Sequence, residues 1–163
     1  MKYIYGPVSS YRLGRSLGID ILSQEEKFCT FGCIYCQLGP KVRYAKERRV
    51  YVKTEEILSE LAEVLPDLAI DHITFSGRGE STLAENLGEA ITKIKEMQKK
   101  PVAVLTNSSL MNREDVIKDI FKIKKLFLGL KVVTVYDRKK EKTKPISPDE
   151  TSKRRGDYYT LPQ

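Results

Sequence analysis

The 163-residue sequence contains no tryptophan, a single histidine and only three cysteines. Three cysteines are too few for the dense disulfide framework that stabilises small secreted domains. No apolar run approaches the roughly 20 residues that cross a bilayer as a helix, which predicts a protein without a membrane partner. The start of the chain also lacks the apolar h-region and the small-residue cleavage site of a signal peptide. We therefore expect a cytoplasmic protein whose cysteines are reduced.

Basic residues are in excess, with 29 Lys and Arg against 22 Asp and Glu and a formal net charge of +7. This balance favours anionic partners but does not specify a fold. Nine of the basic and five of the acidic residues lie between Lys131 and Gln163, so over half of the surplus falls in the last fifth of the chain. That end has few aliphatic residues and three prolines. We predict one domain over residues 1–133 and a charged, poorly ordered tail over residues 134–163.

Four short apolar segments are predicted to be strands. They lie near residues 17–21, 73–75, 101–106 and 126–130, and a helical pattern precedes each of the last three. Strands that alternate with helices form right-handed βαβ units, which build a parallel sheet. The sequence therefore predicts an α/β fold with parallel βα repeats.

The three helical patterns each carry one apolar stripe that is expected to face the sheet. Thr54 is the expected N-cap of the first helix and Asn112 that of the third. The residues predicted to face inward are Ile57, Leu58, Leu61, Val64 and Leu65 in the first helix, Leu87, Ala90, Ile91, Ile94 and Met97 in the second, and Val116, Ile117, Ile120 and Phe121 in the third.

Three unusual segments follow predicted strands: CTFGCIYC at residues 29–36, SGRGE at 76–80 and TNSSL at 106–110. In a parallel sheet, the loops after the strands meet at one edge, where ligands bind. We therefore expect the three segments to form one site. Taken alone, SGRGE is also consistent with a plain strand-to-helix turn, and TNSSL with a loop of local side-chain caps.

Cys29, Cys33 and Cys36 are all the cysteines of the chain and fall within eight residues. This grouping favours metal binding, because three thiols cannot all pair as disulfides. A structural zinc site needs four ligands, and the only histidine, His72, would have to be the fourth. A cubane iron–sulfur cluster held by three thiolates would instead leave one iron with an open coordination position. The neighbouring Ile34 and Tyr35 would shield such a cluster from water.

The spacing C-x3-C-x2-C, with Tyr35 before the last cysteine, resembles the signature of the radical S-adenosylmethionine (SAM) enzymes. The stretches GPVSSYRLGRSLGIDIL, CTFGCIYCQLGP, TFSGRGESTL and PVAVLTNSSL resemble the wyosine-type tRNA-modification proteins of that superfamily, from about Tyr5 to about Phe127. The resemblance implies a partial, TIM-like half barrel of about four strands. It also implies that the three cysteines ligate a [4Fe-4S] cluster whose open iron chelates SAM, and that reductive cleavage of SAM yields a 5′-deoxyadenosyl radical.

The same resemblance implies a set of cofactor contacts. Tyr35 would lie near the adenine, the two glycines of SGRGE would admit a close backbone approach, and Glu80 would lie near the ammonium of the SAM methionine. The residues expected to contact SAM are thus Tyr35, Gly77, Gly79, Glu80, Thr106 and Asn107. The implied partners are a flavodoxin- or ferredoxin-like electron donor and a tRNA substrate.

The resemblance is incomplete in three respects. The radical SAM core usually has six βα units, whereas this sequence contains about four, so we expect a truncated barrel or one that another chain completes. Ser81 stands where such proteins commonly have proline. Ser108 stands where they commonly have glycine, the residue that best accepts a positive φ. The alternative interpretation is a noncatalytic metal-binding or interaction module, holding a cluster or zinc.

A strongly basic segment, KVRYAKERRVYVK, follows the cysteines at residues 41–53. It carries six basic residues against one glutamate, with Tyr44 and Tyr51 between them. Such a segment is suited to phosphate contacts and base stacking, as tRNA modification would require. It is also consistent with a solvated, charged surface loop.

Overall fold

The computed structural model describes residues 1–122 and the backbone of residues 131–132. The strands of this part are β1 (Ile4–Ser10), β2 (Gly14–Ile19), β3 (Phe28–Cys29), β4 (Arg43–Tyr44), β5 (His72–Phe75), β6 (Val102–Thr106) and β7 (Lys131–Val132). The α-helices are α1 (Thr54–Val64), α2 (Leu87–Met97) and α3 (Glu114–Phe121). Short 3-10 turns occupy Leu65–Asp67 and Ser81–Leu83.

The main sheet has the strand order β1-β2-β5-β6-β7, and β3 pairs with β4 beside it. β2, β5, β6 and β7 are parallel, while β1 is antiparallel to β2 at the outer edge. Leu17 is level with Ile73, and Ile73 with Val102, so the carboxyl ends of these strands share one edge. The predicted α/β fold with about four parallel strands is confirmed, and the sheet stays open over the described residues.

Two predictions fall largely outside the described residues. The predicted fourth strand at residues 126–130 and the charged tail from residue 134 both lie there. Within the described part, β7 takes the place beside β6 that the fourth strand was expected to fill. No helix of this part is long and apolar enough to cross a membrane.

The hairpin of β1 and β2 was not predicted, because β1 is an edge strand whose residues are mostly exposed or half-buried. Its pattern therefore shows little apolar alternation. The structure shows one contact that holds the two strands together. Gly18 has no side chain, and a Cβ there would lie 2.2 Å from the ring of Tyr5, which packs over that position.

The core lies between the sheet and the helices. Its fully buried residues include Leu17 and Ile19 from β2, Ile73 and Phe75 from β5, Ile57 and Leu61 from α1, and Leu87, Ala90, Ile91 and Ile94 from α2. These are largely the residues that the apolar stripes predict. The predicted helices α1 and α2 are thus confirmed in type and in the faces that they bury.

The predicted stripes extend too far at the helix ends. Met97 is 42% exposed and Phe121 is 60% exposed, although both were expected to face inward. Residues spaced by three drift by about 60° around a helix axis, so Met97 lies at the margin of the stripe that Ile91 and Ile94 define. Phe121 directly follows Ile120, and a step of about 100° turns it away from the core.

The predicted helix caps are also corrected. Lys53 and Arg113 occupy the N-cap positions of α1 and α3, and neither makes a side-chain cap hydrogen bond. Thr54 is instead the buried first residue of α1. Its hydroxyl donates to Glu89 and accepts from Asn86, both at 3.0 Å, so it joins α1 to α2.

Candidate functional site

The three segments that follow strands contact one another at the carboxyl edge of the sheet. We call residues 29–39 the cysteine loop. Just before this loop, the carbonyl of Phe28 accepts a 3.1 Å hydrogen bond from the backbone N–H of Glu80 in SGRGE. In turn, Glu80 accepts a 2.7 Å bond from the backbone N–H of Asn107. The edge therefore carries one continuous hydrogen-bonded site.

Two glycines of SGRGE make this close approach possible. Gly79 has a φ of +140° and forms a parallel bridge with Phe28. A Cβ at Gly79 would lie 1.7 Å from the Phe28 carbonyl oxygen, and one at Gly77 would lie 2.3 Å from Cγ of Asp20. Both distances are far below van der Waals contact. A side chain at either position would therefore displace the loop.

Asp20 fixes the other side of SGRGE, and sequence reasoning missed it. The side chain is 8% exposed. One carboxylate oxygen accepts from the backbone N–H groups of Leu22 (3.2 Å) and Ser23 (2.9 Å), and the other accepts from that of Arg78 (3.1 Å). An aspartate that directly follows a buried strand is a typical turn residue, which is the signal that the sequence offered.

Glu80 lies at the centre of a buried hydrogen-bond network, which we call the Glu80 cradle (Glu80, Thr82, Thr106 and Asn107). Glu80 itself is 2% exposed. Its Oε1 accepts from the backbone and hydroxyl of Thr82 (3.2 and 2.6 Å) and from the hydroxyl of Thr106 (2.5 Å), and its Oε2 accepts from Asn107. Such bonds compensate a buried carboxylate for its lost hydration. Oε2 keeps one acceptor position free of these bonds.

The side chain of Asn107 connects the Glu80 cradle to the first cysteine. Its Nδ2 lies 3.6 Å from Sγ of Cys29 and 2.9 Å from Oγ1 of Thr30, and it donates to both. Its Oδ1 accepts from the backbone N–H of Ser109 at 3.0 Å. Because Glu80 holds the backbone of Asn107, the cradle sets where this amide meets the thiol.

Ser108, which stands where radical SAM proteins commonly have glycine, adopts a backbone conformation that favours glycine over serine. Its φ is +62°, in the left-handed region, and its Oγ is buried without a hydrogen-bond partner among the described residues. Its backbone N–H donates to Oγ1 of Thr106 at 3.0 Å, which holds the turn in place. The position therefore carries local strain.

The three cysteines are partly buried free thiols. Burial raises the pKa of the Cys29 thiol above its ordinary value, and the nearby Glu80 and Cys33 raise it further by Coulomb repulsion. Among the described residues, no three or more Cys, His, Asp or Glu side chains converge as a ready-made metal site. The donor set nevertheless fits an iron–sulfur cluster, since three thiols on one loop are outside disulfides and one already accepts an N–H···S contact.

The tip of the cysteine loop is open to solvent, contrary to the expected shielding. Ile34 is 86% exposed and Tyr35 is 51% exposed. Two backbone bonds shape the loop: Cys36 N–H donates to the carbonyl of Cys33 (3.1 Å), and Gly39 N–H donates to that of Cys36 (2.9 Å). These local turns do not bring apolar side chains over the thiols.

His72 is remote from the cysteines in the fold. It begins β5, level with Ser16, whereas the cysteine loop lies beyond the opposite ends of the strands. Four residues of strand separate these two edges by about 10 Å. A ring nitrogen, Nδ1, lies 2.9 Å from the carbonyl oxygen of Leu13. The structure therefore assigns His72 a structural contact and disfavours it as the fourth ligand of a zinc site.

The basic segment is only partly a solvated loop, because Arg48 turns inward. Its side chain is 5% exposed and forms ion pairs with Asp115 (2.9 Å) and Asp119. It also donates to the carbonyls of Thr82 (2.9 Å) and Ala84 (2.7 Å). Arg48 therefore fastens the segment to α3 and to the turn after SGRGE. Sequence reasoning missed this role because the partners are remote along the chain.

Arg49 is also engaged within the protein. Its guanidinium lies 5.1 Å from the ring centroid of Phe28 and 4.6 Å from that of Tyr51. The two rings themselves meet edge to face at 5.4 Å. Arg49 nevertheless remains exposed, as do Lys41 and Lys46. The structure thus buries the side chain of Arg48 and leaves these three residues at the surface.

The sequence profile of the radical SAM superfamily matches residues 27–155, which include the cysteine loop, SGRGE and TNSSL. The chain therefore belongs to the radical SAM superfamily.

Its relatives include UPF0026 proteins. One from Synechocystis sp. is 45% identical over 117 residues, covering 72% of this chain and 43% of that protein. One from Methanocaldococcus jannaschii is 41% identical over 123 residues, covering 74% of this chain and 37% of that protein. A protein of Brachyspira hyodysenteriae named GTPase Obg is 42% identical over 120 residues, or 73% of this chain, but the match covers 17% of that protein. No solved structure matches the chain.

These comparisons confirm the resemblance at the level of the superfamily. The relatives are UPF0026 proteins and are not specifically wyosine-type tRNA-modification proteins. The chain spans less than half of the length of these curated relatives. Membership of the superfamily implies, in general, a [4Fe-4S] cluster and SAM.

Proposed function

We propose that this chain binds a [4Fe-4S] cluster through Cys29, Cys33 and Cys36, and SAM at the carboxyl edge of the sheet, for reductive cleavage of SAM. The observation that carries the proposal is the hydrogen-bonded path from Glu80 through Asn107 to Cys29. This path brings together three segments that are distant in sequence and that all match the radical SAM profile. When bound, the cluster would supply the electron that cleaves the sulfonium, and the protein would supply ligation and orientation.

The residues around the Glu80 cradle suit the proposed SAM contacts to different degrees. Gly77 and Gly79 let the backbone of SGRGE pass close to Asp20 and to the Phe28 carbonyl, which brings Glu80 to the site. Oε2 of Glu80 has one acceptor position left for the ammonium of SAM. Thr106 is turned toward Glu80 and Asn107 toward the cysteine loop, so we propose that both position the site and contact SAM from its edge. Tyr35 lies on the exposed tip, from where it would close over the adenine.

Anaerobic reconstitution tests the function directly. We expect the full chain to take up about four irons and to give a reduced cubane electron paramagnetic resonance (EPR) signal that changes when SAM is added. The 5′-deoxyadenosine that forms under reduction measures cleavage. Cys33→Ala should lose the cluster absorbance, whereas Ser59→Ala, on the exposed face of α1, should keep it. Full absorbance in Cys33→Ala would contradict the ligand assignment.

The second candidate is a noncatalytic metal-binding or interaction module. One observation favours it: the three thiols lie on one loop, so a metal ion or cluster can bind there without SAM at the Glu80 cradle. Such a module would bind iron or zinc but would show neither a SAM-dependent EPR change nor 5′-deoxyadenosine. These two readouts decide between the candidates.

We also propose tRNA as the substrate, a flavodoxin- or ferredoxin-like electron donor and a cytoplasmic location. Exposed Lys41 and Lys46 near the cysteine loop support an anionic substrate, and three free thiols suit a reducing compartment. We further propose that another chain completes the barrel, since the sheet is open over the residues that the structure describes. If phosphate contacts contribute, tRNA affinity should fall steeply as salt rises. A tRNA affinity that does not change with salt concentration would argue against such contacts.

A further inference from the structure

An open groove of about 590 Å3 lies beside the base of the cysteine loop. Its volume is in the range of small-molecule sites. Its walls come from the segment before Cys29, the segment after Cys36 and the SGRGE loop. The charged residues that line it are Glu25, Glu26, Lys27, Lys41, Arg43 and Arg78.

Lys27 is the unusual member of this lining because its charge is buried. The residue is 8% exposed, and its ammonium donates to the carbonyl of Gly39. Over the described residues, Lys27 forms no ion pair. One carbonyl uses only one of the three N–H groups of the ammonium. Lys27 therefore has both the charge and the free donors to bind an anion in the groove.

Arg78 approaches the same groove from SGRGE. Asp20 holds its backbone N–H at 3.1 Å, and its Nη1 donates to the carbonyl of Gln24 at 3.1 Å. These two bonds hold the backbone of Arg78 and one end of its guanidinium in place. Among the described residues, no other bond engages the guanidinium, and its remaining N–H groups match the geometry of phosphate oxygens.

The remaining charges leave the groove positive. Arg43 and Glu26 pair at 2.9 Å and neutralise each other at the exposed rim. Lys27, Lys41 and Arg78 then face a single carboxylate, that of Glu25. Three cations from three different segments thus converge on one concave surface.

We propose that this groove binds a phosphate group carried by a nucleotide or a nucleic acid. A phosphate offers oxygens to the ammonium of Lys27 and to the guanidinium of Arg78, and it supplies the anion that the buried charge lacks. SAM carries no phosphate, so this ligand is a second molecule, bound next to the cysteine loop. The site needs no iron, so its test does not depend on cluster or SAM binding. A nucleic-acid ligand would extend the proposed tRNA substrate to a defined phosphate site.

The test uses the full chain without iron. Binding of inorganic phosphate, AMP and a short oligoadenylate RNA is measured by titration calorimetry, with acetate at matched ionic strength as the control anion. We expect all three phosphate probes to bind more tightly than acetate. Lys27→Met and Arg78→Gln should each weaken binding about tenfold or more, the effect expected from losing a charge-assisted hydrogen bond. Lys99→Met, an exposed lysine outside both the groove lining and the basic segment, should change it little.

The outcomes separate the sources of the phosphate. Tighter binding of the RNA than of AMP supports a nucleic-acid backbone, and equal binding supports a single phosphate group. Acetate binding as tight as phosphate binding would overturn the proposal in favour of a carboxylate partner such as an acidic protein. Unchanged binding in both Lys27→Met and Arg78→Gln would place the ligand elsewhere and overturn it too. Arg78 is exposed, so its variant remains informative if Lys27→Met does not fold.

Discussion

The Glu80 cradle and the cysteine loop lie side by side and differ sharply in how far they are organised. Glu80 and Thr82 are almost completely buried, and the carboxylate of Glu80 accepts bonds from three residues. Ile34 and Leu38 of the cysteine loop are 86% and 50% exposed, and its thiols do not converge. One half of the site is held together by the protein's own hydrogen bonds, while the other half presents its ligands on an open loop.

The difference follows from the interactions that stabilise the Glu80 cradle and the cysteine loop. The cradle is held by hydrogen bonds between side chains and backbone, which need only the protein. The cysteine loop is held at its base, where Ala45 N–H donates to the carbonyl of Cys29 at 3.1 Å and the ammonium of Lys27 donates to Gly39. We therefore expect cluster binding to order the loop and to leave the cradle unchanged.

Gly79→Ala should have the largest effect, because it disrupts the contact between the Glu80 cradle and the cysteine loop. Its Cβ would overlap the carbonyl of Phe28 and push the two halves apart. We expect the free energy of unfolding to fall by about 3 kcal/mol or more. Denaturant unfolding measures this. Gly39→Ala is the matched control, since its φ is also positive, at +81°, but no atom lies within 4 Å of the added Cβ. It should cost about 1 kcal/mol; equal losses in the two variants would refute the steric argument.

Glu80→Gln should damage the cradle alone. Whichever way the amide is turned, its N–H2 group would face a backbone N–H, that of Thr82 or that of Asn107, and would leave it unpaired. We expect a loss of about 2–3 kcal/mol in the free energy of unfolding, with weaker SAM binding and retained cluster content after reconstitution. Glu85→Gln, on the exposed surface nearby, serves as the control and should change neither. Wild-type stability in Glu80→Gln would show that the network contributes little.

Asn107→Ala should alter the link between the halves. It removes the amide that donates to Cys29 but keeps the backbone N–H that binds Glu80. Because N–H···S bonds favour the reduced cluster, we expect the reduction potential of the reconstituted protein to fall by about 40 mV, which corresponds to a bond of about 1 kcal/mol. Redox titration followed by EPR measures it. Ser109→Ala, which loses only a contact to Thr30, should leave the potential in place; a shift of similar size there would contradict a specific role for Asn107.

Ser108→Gly should have the smallest effect and the opposite sign. Glycine accepts the φ of +62° without strain and removes a hydroxyl that is buried without a partner. The greater freedom of glycine in the unfolded chain offsets part of this gain, so we expect stabilisation by about 0.5–1 kcal/mol. Thermal unfolding tests this against Ser109→Gly, which relieves no positive φ and should destabilise. Destabilisation by Ser108→Gly would mean that the hydroxyl has a partner after all.

The sequence predicted the site best where the signal was local. The apolar stripes located α1 and α2, and the glycines of SGRGE and the cysteine spacing marked the edge of the sheet on which the site lies. Prediction failed where the role of a residue depends on a contact with a residue that is distant along the chain. Thr54 has the residue type of a helix cap, yet Asn86 and Glu89 engage its hydroxyl. The edge strand β1 buries too little to leave an apolar pattern.

The sequence by itself determined the α/β architecture and the grouping of the three thiols, because periodicity and spacing are properties of neighbouring residues. Only the tertiary structure decided how the charges are distributed. Arg48 is drawn inward by Asp115 and Asp119, while Lys27 is buried at the base of the cysteine loop with no carboxylate partner within the described part of the chain. Both outcomes depend on groups that folding brings together from remote parts of the chain. A local sequence pattern therefore cannot predict which charged side chain will form an ion pair.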